Sequence, residues 1–279
     1  MKVYSKIMIP LDGSELAELA LPYAHILAQA FAAEVDLVGV AEGGFSDRLL
    51  KTYLDRLAQD WQGEGLKVRG VVQQGHPAEA IITYAEDNAM ELVAMCTHGR
   101  SGVSRWVVGS VADKVLLGCR APLLLVTPRV KPAEELFHTL LVPLDGSELA
   151  EKALPWAEEL VKKLRTQLCL LRVYSPLPGV VMGELSNLDE IMKAQQRTAS
   201  SYLGEFSRKL KKKGMEAQTE VVEGNAPEEI LEYTRRHHID LVVMSTHGRS
   251  GLGRWVLGSV TDRVVRAGEV PVLVVPSRA

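Results

Sequence analysis

The sequence predicts an α/β protein of two tandem doubly wound, Rossmann-like three-layer α/β/α domains, each with a five-stranded, mainly parallel sheet. Three observations lead there: a nine-residue segment that occurs twice, a second repeated block later in each half, and short apolar runs alternating with amphipathic helical patterns. Pro10 to Glu18 (PLDGSELAE) recurs unchanged as Pro143 to Glu151. Thr97 to Val115 returns as Thr246 to Val264 with 14 of 19 positions identical. The offset between the copies grows from 133 at Asp12/Asp145 to 149 at Gly99/Gly248, so the second half carries 16 extra residues between Val173 and Gly224. The expected division is 1–130 and 138–279, with 131–137 as linker.

In the first half, strands are expected at Ile7 to Pro10, Val35 to Val40, Val68 to Gln73, Leu92 to Cys96 and Leu123 to Val126, with helices between them. Leu92-Val93-Ala94-Met95 and Leu241-Val242-Val243-Met244 are apolar at every position, as a sheet covered on both faces requires. After the first strand, Asp12 reads as a helix N-cap, with Glu15 three residues later completing a capping box. The basic run Lys209 to Lys213 ends a predicted helix, where cations favour the helix dipole. The extra length of the second half falls in the Pro- and Gly-punctuated stretch Tyr174 to Gly183 and the helix-like run after it.

The 279 residues are 47% hydrophobic and 24% charged, ordinary for a globular chain in which each half buries its own core. A net charge of -3 with both signs interspersed gives no reason to expect nucleic acid or a membrane surface as partner. Three unpatterned cysteines, Cys96, Cys119 and Cys169, suit a reducing compartment, and no apolar stretch approaches a membrane span. A cytoplasmic location is expected.

Ligands of open parallel sheets sit beyond the carboxyl ends of the strands, where the chain order reverses. Two loops fall there: Pro10-Leu11-Asp12-Gly13-Ser14, and the long loop from Cys96 to Ser110. In the second, Gly99 and Gly109 bracket nine residues and Ser110 opens the next helix, which converges backbone N–H groups and a hydroxyl on an anion site. Arg100 and Arg105 add positive charge. The same residues also read as turn glycines and a helix cap, but they recur with identical spacing as Gly248, Gly251, Gly258 and Ser259 opposite an identical Asp-Gly-Ser loop. His98 and His247 lie in this loop without a second residue at metal-ligand spacing and are read as ordering backbone. Cys96 is either a small buried filler or a thiol activated by the helix N-terminus and Arg100. Neither G-x-x-x-x-G-K-[ST] nor G-x-G-x-x-G occurs, which excludes P-loop NTPases and ordinary dinucleotide enzymes. Asp12-Gly13-Ser14-Glu15 stands where ATP pyrophosphatases carry an SGGxDS-like loop.

On these residues the chain resembles the universal stress protein family in its tandem form, whose domains share the adenine nucleotide alpha hydrolase-like fold. The family's ATP-binding loop is of type G-x-x-G-x9-G-[ST]. Gly99, Gly109 and Ser110, and then Gly248, Gly258 and Ser259, match its last elements, while Cys96 and Ser245 replace its first glycine. The resemblance implies ATP or AMP bound in one or both domains by Pro10, Leu11, Asp12, Val40, Met95, Gly99, Arg100, Gly102, Gly109, Ser110 and Val111. Their counterparts are Pro143, Leu144, Asp145, Val173, Met244, Gly248, Arg249, Gly251, Gly258, Ser259 and Val260. By the same resemblance, Asp12 and Asp145 contact the nucleoside and the backbones of Val40 and Val173 read adenine. Any Mg2+ arrives with the nucleotide, hydrolysis is weak or absent, and no catalytic residue is expected. The two domains would pair as an internal pseudo-twofold dimer through Leu123 to Val126 and Val272 to Val275, and a homodimer of the whole chain is compatible with that. The alternative is a scaffold that keeps the fold without the nucleotide.

Overall fold

The computed structural model describes residues 4–41, 45–99, 109–130, 137–175, 188–246 and 257–276. The first half runs β1 (Lys6–Pro10), α1 (Glu15–Glu18), α2 (Leu21–Phe31), β2 (Glu34–Ala41), α3 (Phe45–Gly63), β3 (Lys67–Gln74), α4 (Pro77–Asp87), β4 (Leu92–Cys96), α5 (Ser110–Gly118) and β5 (Leu123–Val126). The second repeats the order as β6 (Thr139–Pro143), α6 (Glu148–Glu151), α7 (Leu154–Leu164), β7 (Gln167–Tyr174), α8 (Leu188–Lys212), β8 (Ala217–Glu223), α9 (Ala226–Arg236), β9 (Leu241–Ser245), α10 (Ser259–Ala267) and β10 (Val272–Val275). The expected strands of the first half are all present, with β2 and β3 one residue longer at each end. Helices α2, α4, α7 and α9 each place a proline in the first turn, where a missing N–H costs nothing. The basic run closes α8, and Lys213 just beyond it pairs with Glu158 at 2.7 Å.

Within each half the strands are parallel and ordered β3-β2-β1-β4-β5 and β8-β7-β6-β9-β10. The two sets do not stand as separate sheets. β10 pairs antiparallel with β5, Val272 opposite Leu125 and Val274 opposite Leu123, so one ten-stranded sheet crosses the chain. Strand alternation sends Ile7, Ile9, Leu37, Leu92 and Leu124 to the face covered by α1, α2 and α3 and by α6, α7 and α8. Met8, Val38, Val93, Leu123 and Leu125 face α4, α5, α9 and α10. Each core is continuous across both halves.

The junction is reciprocal. Tyr4, just before β1, is fully buried, meets Trp156 of α7 edge-on at 5.3 Å between ring centroids, and donates its hydroxyl to the Trp156 carbonyl. Phe137, at the aligned place before β6, meets Tyr23 of α2 at 5.9 Å. On the opposite face, Arg266 of α10 binds Asp262 in its own helix and reaches Asp113 of α5 at 2.9 Å. Thr127 donates to the carbonyl of Gly268.

The halves differ inside. Buried Asp36 on β2 accepts two bonds from Arg69 of β3, at 2.6 and 2.9 Å, and one from the Tyr84 hydroxyl of α4 at 2.8 Å. Burial, and then that bond to Asp36, pushes the Tyr84 phenol up to about 12. The aligned residues of the second half are Cys169, Gln218 and Tyr233, an uncharged set at the same three positions.

Because the two cores and the sheet are continuous, urea unfolding is expected to follow a single transition, with fluorescence and circular dichroism coincident. Phe137→Ala and Trp156→Ala should each lower the stability of the entire chain by about 3–5 kcal/mol, the usual cost of removing a buried aromatic. Loss confined to one half, seen as a split transition in either variant, would show that the junction does not couple the halves.

Candidate functional site

The site begins with how β1 and β4 are tied. At their amino ends the Glu91 carboxylate accepts from the Ser5 N–H at 2.6 Å and the Ser5 hydroxyl at 2.8 Å. Asp240 does the same for the N–H groups of His138 and Thr139, both at 2.8 Å. The β1/β4 register covers only Ile7 opposite Leu92 and Met8 opposite Val93, and that of β6/β9 only Leu140 opposite Leu241 and Leu141 opposite Val242. Beyond that point β1 continues along β2 alone: Leu11 donates its N–H to the Val38 carbonyl at 2.8 Å, and Leu144 to that of Leu171 at 2.8 Å. A crevice therefore opens at the carboxyl ends, at the reversal of strand order.

Asp12 stands at its mouth, and here the sequence reading needs correction. The N-cap of α1 is Ser14, whose hydroxyl oxygen accepts the Ala17 N–H at 3.2 Å. Asp12 sits two residues earlier and orders that cap, its Oδ1 accepting from the Ser14 N–H at 3.0 Å and hydroxyl at 2.6 Å. Asp145 and Ser147 repeat the arrangement. The turn needs Gly13 and Gly146 because both have positive φ, +81° and +86°. The other Asp12 oxygen, Oδ2, faces Gly99 so closely that a Cβ built there would lie 2.5 Å from it. Gly99 is thus a glycine of close approach, and it joins the two loops the motif reading placed together.

The long loop is closed at its base. Gly109 donates its N–H to the Thr97 carbonyl at 2.8 Å, and Gly258 to that of Thr246 at the same distance. A Cβ on Gly109 would press to 3.1 Å of the Thr97 oxygen. Gly109 and Gly258, not the serines, are the N-cap residues of α5 and α10, and neither helix has a side-chain bond at that cap. Ser110 and Ser259 are the first helical residues, so the reading of Ser110 as a cap is also corrected. These first turns present backbone donors and a positive dipole end toward the crevice mouth. His98 engages the Thr97 hydroxyl through Nδ1 at 2.9 Å. Cys96 is buried and burial pushes its thiol up to about 11, which suits a packed filler and not an activated nucleophile. Arg100, Gly102, Arg105, His247, Gly248, Arg249 and Gly251 lie outside the described residues.

In the first half Leu11 and Met95 are buried, and Val40 and Val111 pack against the second of the two cores. Pro10 ends β1. In the second half a cavity of about 970 Å³ gathers Pro143, Leu144, Asp145, Val173, Met244, Gly258, Ser259 and Val260, all residues singled out in the sequence. It also takes in residues the sequence reading missed: Arg172 on β7, Gln195 and Thr198 on α8, and the Gly224-Asn225-Ala226-Pro227 segment after β8. Aligning the repeats places Arg172 opposite Gly39, a difference readable in the sequence. Gln195 and Thr198 of α8 align with Ser46 and Leu49 of α3.

The model of the universal stress protein family matches residues 4–127 and again 136–276. The chain belongs to the universal stress protein family. A universal stress protein of Synechocystis sp. is 25% identical over 307 aligned positions, covering 96% of this chain and 98% of its own length. The Bacillus subtilis universal stress protein YxiE is 32% identical across 147 positions, covering 50% of this chain and 99% of its own, as a match to one repeat would. The crystal structure of a universal stress protein from Archaeoglobus fulgidus superposes over 99% of both chains with a TM-score of 0.73 at 21% identity, a likeness of fold. Universal stress domains of this chain are thus two Rossmann-like α/β units. Among the described residues, no helix is long and apolar enough to cross a membrane, and no group of three or more His, Cys, Asp or Glu is placed to hold a metal ion.

Ser14→Ala and Ser147→Ala should each cost about 1 kcal/mol of stability through loss of the cap, measured by urea denaturation. For Cys96, a folded pKa raised to about 11 from a free-thiol value near 8.5 leaves a thiolate fraction on the order of one in a thousand at pH 8. The neutral thiol's stabilising contribution is full below the unfolded pKa and is lost as pH rises toward about 11. Alkylation of native Cys96 at pH 8 should be far slower than in urea, and equal rates would contradict its burial.

Proposed function

We propose that this chain is a stress-response protein that binds ATP or AMP in the crevice between the first and fourth strands of one or both domains, with little or no hydrolysis. The observation that carries the reading is the base-closed loop from Thr97 to Gly109, which ends on a helix without a side-chain cap bond and meets Asp12 through Gly99. Backbone donors at a helix N-terminus suit phosphate oxygens, and the Asp12 carboxylate suits the hydroxyl or amino donors of a nucleoside. Pro10, Leu11, Val40, Met95 and Val111 are the first-half residues proposed to complete it. In the second, Pro143, Leu144, Asp145, Val173, Met244, Ser259 and Val260 share one cavity. Arg100, Gly102, Gly248, Arg249 and Gly251 complete the proposed set. Mg2+ would accompany the triphosphate.

The proposed domains are 1–130 and 138–279, joined by 131–137 and acting as an internal pseudo-twofold dimer. The antiparallel β5/β10 pairing and the reciprocal aromatic contacts favour this. Covalent linkage keeps the effective concentration of that pairing high. The proposed location is the cytoplasm. One observation favours a nucleotide-free scaffold instead: Cys96 and Ser245 fill the position of the family's first motif glycine.

Calorimetric titration of ATP with Mg2+ into the purified chain separates the two readings. Binding is expected at one or two sites, with Gly109→Val and Gly258→Val each removing its own site while circular dichroism stays native. Absence of heat, together with absence of nucleotide in extracts of the denatured protein, would establish the scaffold.

A further inference from the structure

The two crevices are built differently. Gly39 of β2 aligns with Arg172 of β7, and Leu50 of α3 aligns with Ala199 of α8. In the first half the Leu50 side chain fills the space over Gly39, where a built Cβ would stand 2.6 Å from it. In the second half the small Ala199 leaves that space to the arginine. The exchange is therefore paired, a large side chain moving from helix to strand and gaining a charge.

The charge is held in place. The Arg172 guanidinium stacks over the Tyr202 ring at 4.6 Å and lies against the Asp145-Gly146 turn, its nitrogens 2.5 and 2.8 Å from where a Gly146 Cβ would be. It lines the cavity of the second half. Tyr202 is itself held by its hydroxyl bond to Glu151 at 2.9 Å. The first half keeps the same pair, Tyr53 to Glu18 at 2.7 Å, without an arginine to stack on it. A guanidinium sandwiched in this way is pre-organised, so little conformational freedom is lost when it meets an anion.

A second difference lies on α8. α8 has 25 residues against 19 in α3, and the added length lies at its amino end. Ile191 of the added length lines the cavity together with Ala194, Gln195 and Thr198, which align with Phe45, Ser46 and Leu49 of α3. The Gln195 Oε1 atom is buried with no hydrogen-bond partner among the described residues. A buried acceptor left in that state is costly unless a ligand donor reaches it.

We propose that the second crevice is the tighter nucleotide site, with Arg172 drawing in the anionic ligand and Gln195 accepting one of its N–H or O–H groups. This rests on the nucleotide reading above. A nucleoside phosphate carries both kinds of partner, negative phosphate oxygens and the hydroxyl or amino donors of ribose and base. At the aligned positions the first half has Gly39 in place of Arg172 and Ser46 in place of Gln195, so it lacks both the cation and the amide.

The test is titration of ATP with Mg2+ into the full chain at two salt concentrations. Two affinities at least tenfold apart are expected, with Gly258→Val removing the tighter and Gly109→Val the weaker. Arg172→Gln should weaken the tighter site about tenfold and flatten its salt dependence, a response that mere loosening of the fold would not give. Gln195→Leu should weaken the same site at both salt concentrations alike. Arg172→Lys, which keeps the charge, should recover part of the loss. Unchanged tight binding in Arg172→Gln and Gln195→Leu, or loss of the tight site in Gly109→Val in place of Gly258→Val, would overturn the inference and leave the nucleotide reading standing. Absence of binding by the unmodified chain overturns both.

Discussion

Everything that positions the crevice depends on a hinge-like constraint between two parallel strands: β1 and β4 are pinned at one end and released at the other. The pins are carboxylates, Glu91 and Asp240, each accepting from backbone just ahead of the first strand of its half. Past the short register the central strands part, because β1 goes on bonding to β2 through Leu11 and β4 turns into its long loop. A doubly wound order obliges this, since the chain leaves β1 in one direction and returns to its other side for β4. The acidic pins ensure that the divergence is all at the carboxyl end, where the motif glycines are.

From there the loop geometry follows. A closure bond between Thr97 and Gly109 fixes where α5 begins, and the ordered Asp12-Gly13-Ser14 turn fixes where α1 begins. Gly99 lies against the Asp12 carboxylate, where a Cβ would clash, which gives a steric reason for its identity. The apolar layers beneath are shared by both halves, joined at a seam that includes the antiparallel β5/β10 pair, two aromatic contacts, the Arg266–Asp113 ion pair and the Thr127 bond to Gly268.

Much of this was legible in the sequence. Strand positions and parallel order were carried by apolar runs buried on both faces, and Leu92 to Cys96 is buried at all five positions. The repeat exposed the duplication outright. The cap assignments misled because Asp12 and Ser14 are both good capping residues, and only the turn geometry decides that the serine caps and the aspartate supports it. Ser110 misled for a similar reason: a serine before an amphipathic run reads as a cap, whereas the loop closure at Gly109 places the cap one residue earlier. Gln195 was beyond reach because nothing in a polar helix sequence says which glutamine will be buried against a cavity. Arg172 was within reach, since it departs from Gly39 in an otherwise recognisable repeat, but its meaning needed the matching change from Leu50 to Ala199 in space.

Two identical chains that meet about a twofold axis must carry every substitution in duplicate, so a change that helps one copy and harms its mate is blocked. Fusion lifts that restriction. The Asp36, Arg69 and Tyr84 cluster in one half and the uncharged Cys169, Gln218 and Tyr233 set in the other are alternative solutions to the same packing position, coexisting in a single molecule. Each was free to change without being imposed on its twin. A duplicated chain can in this way keep the symmetric seam that a dimer would need while its two halves evolve as distinct parts.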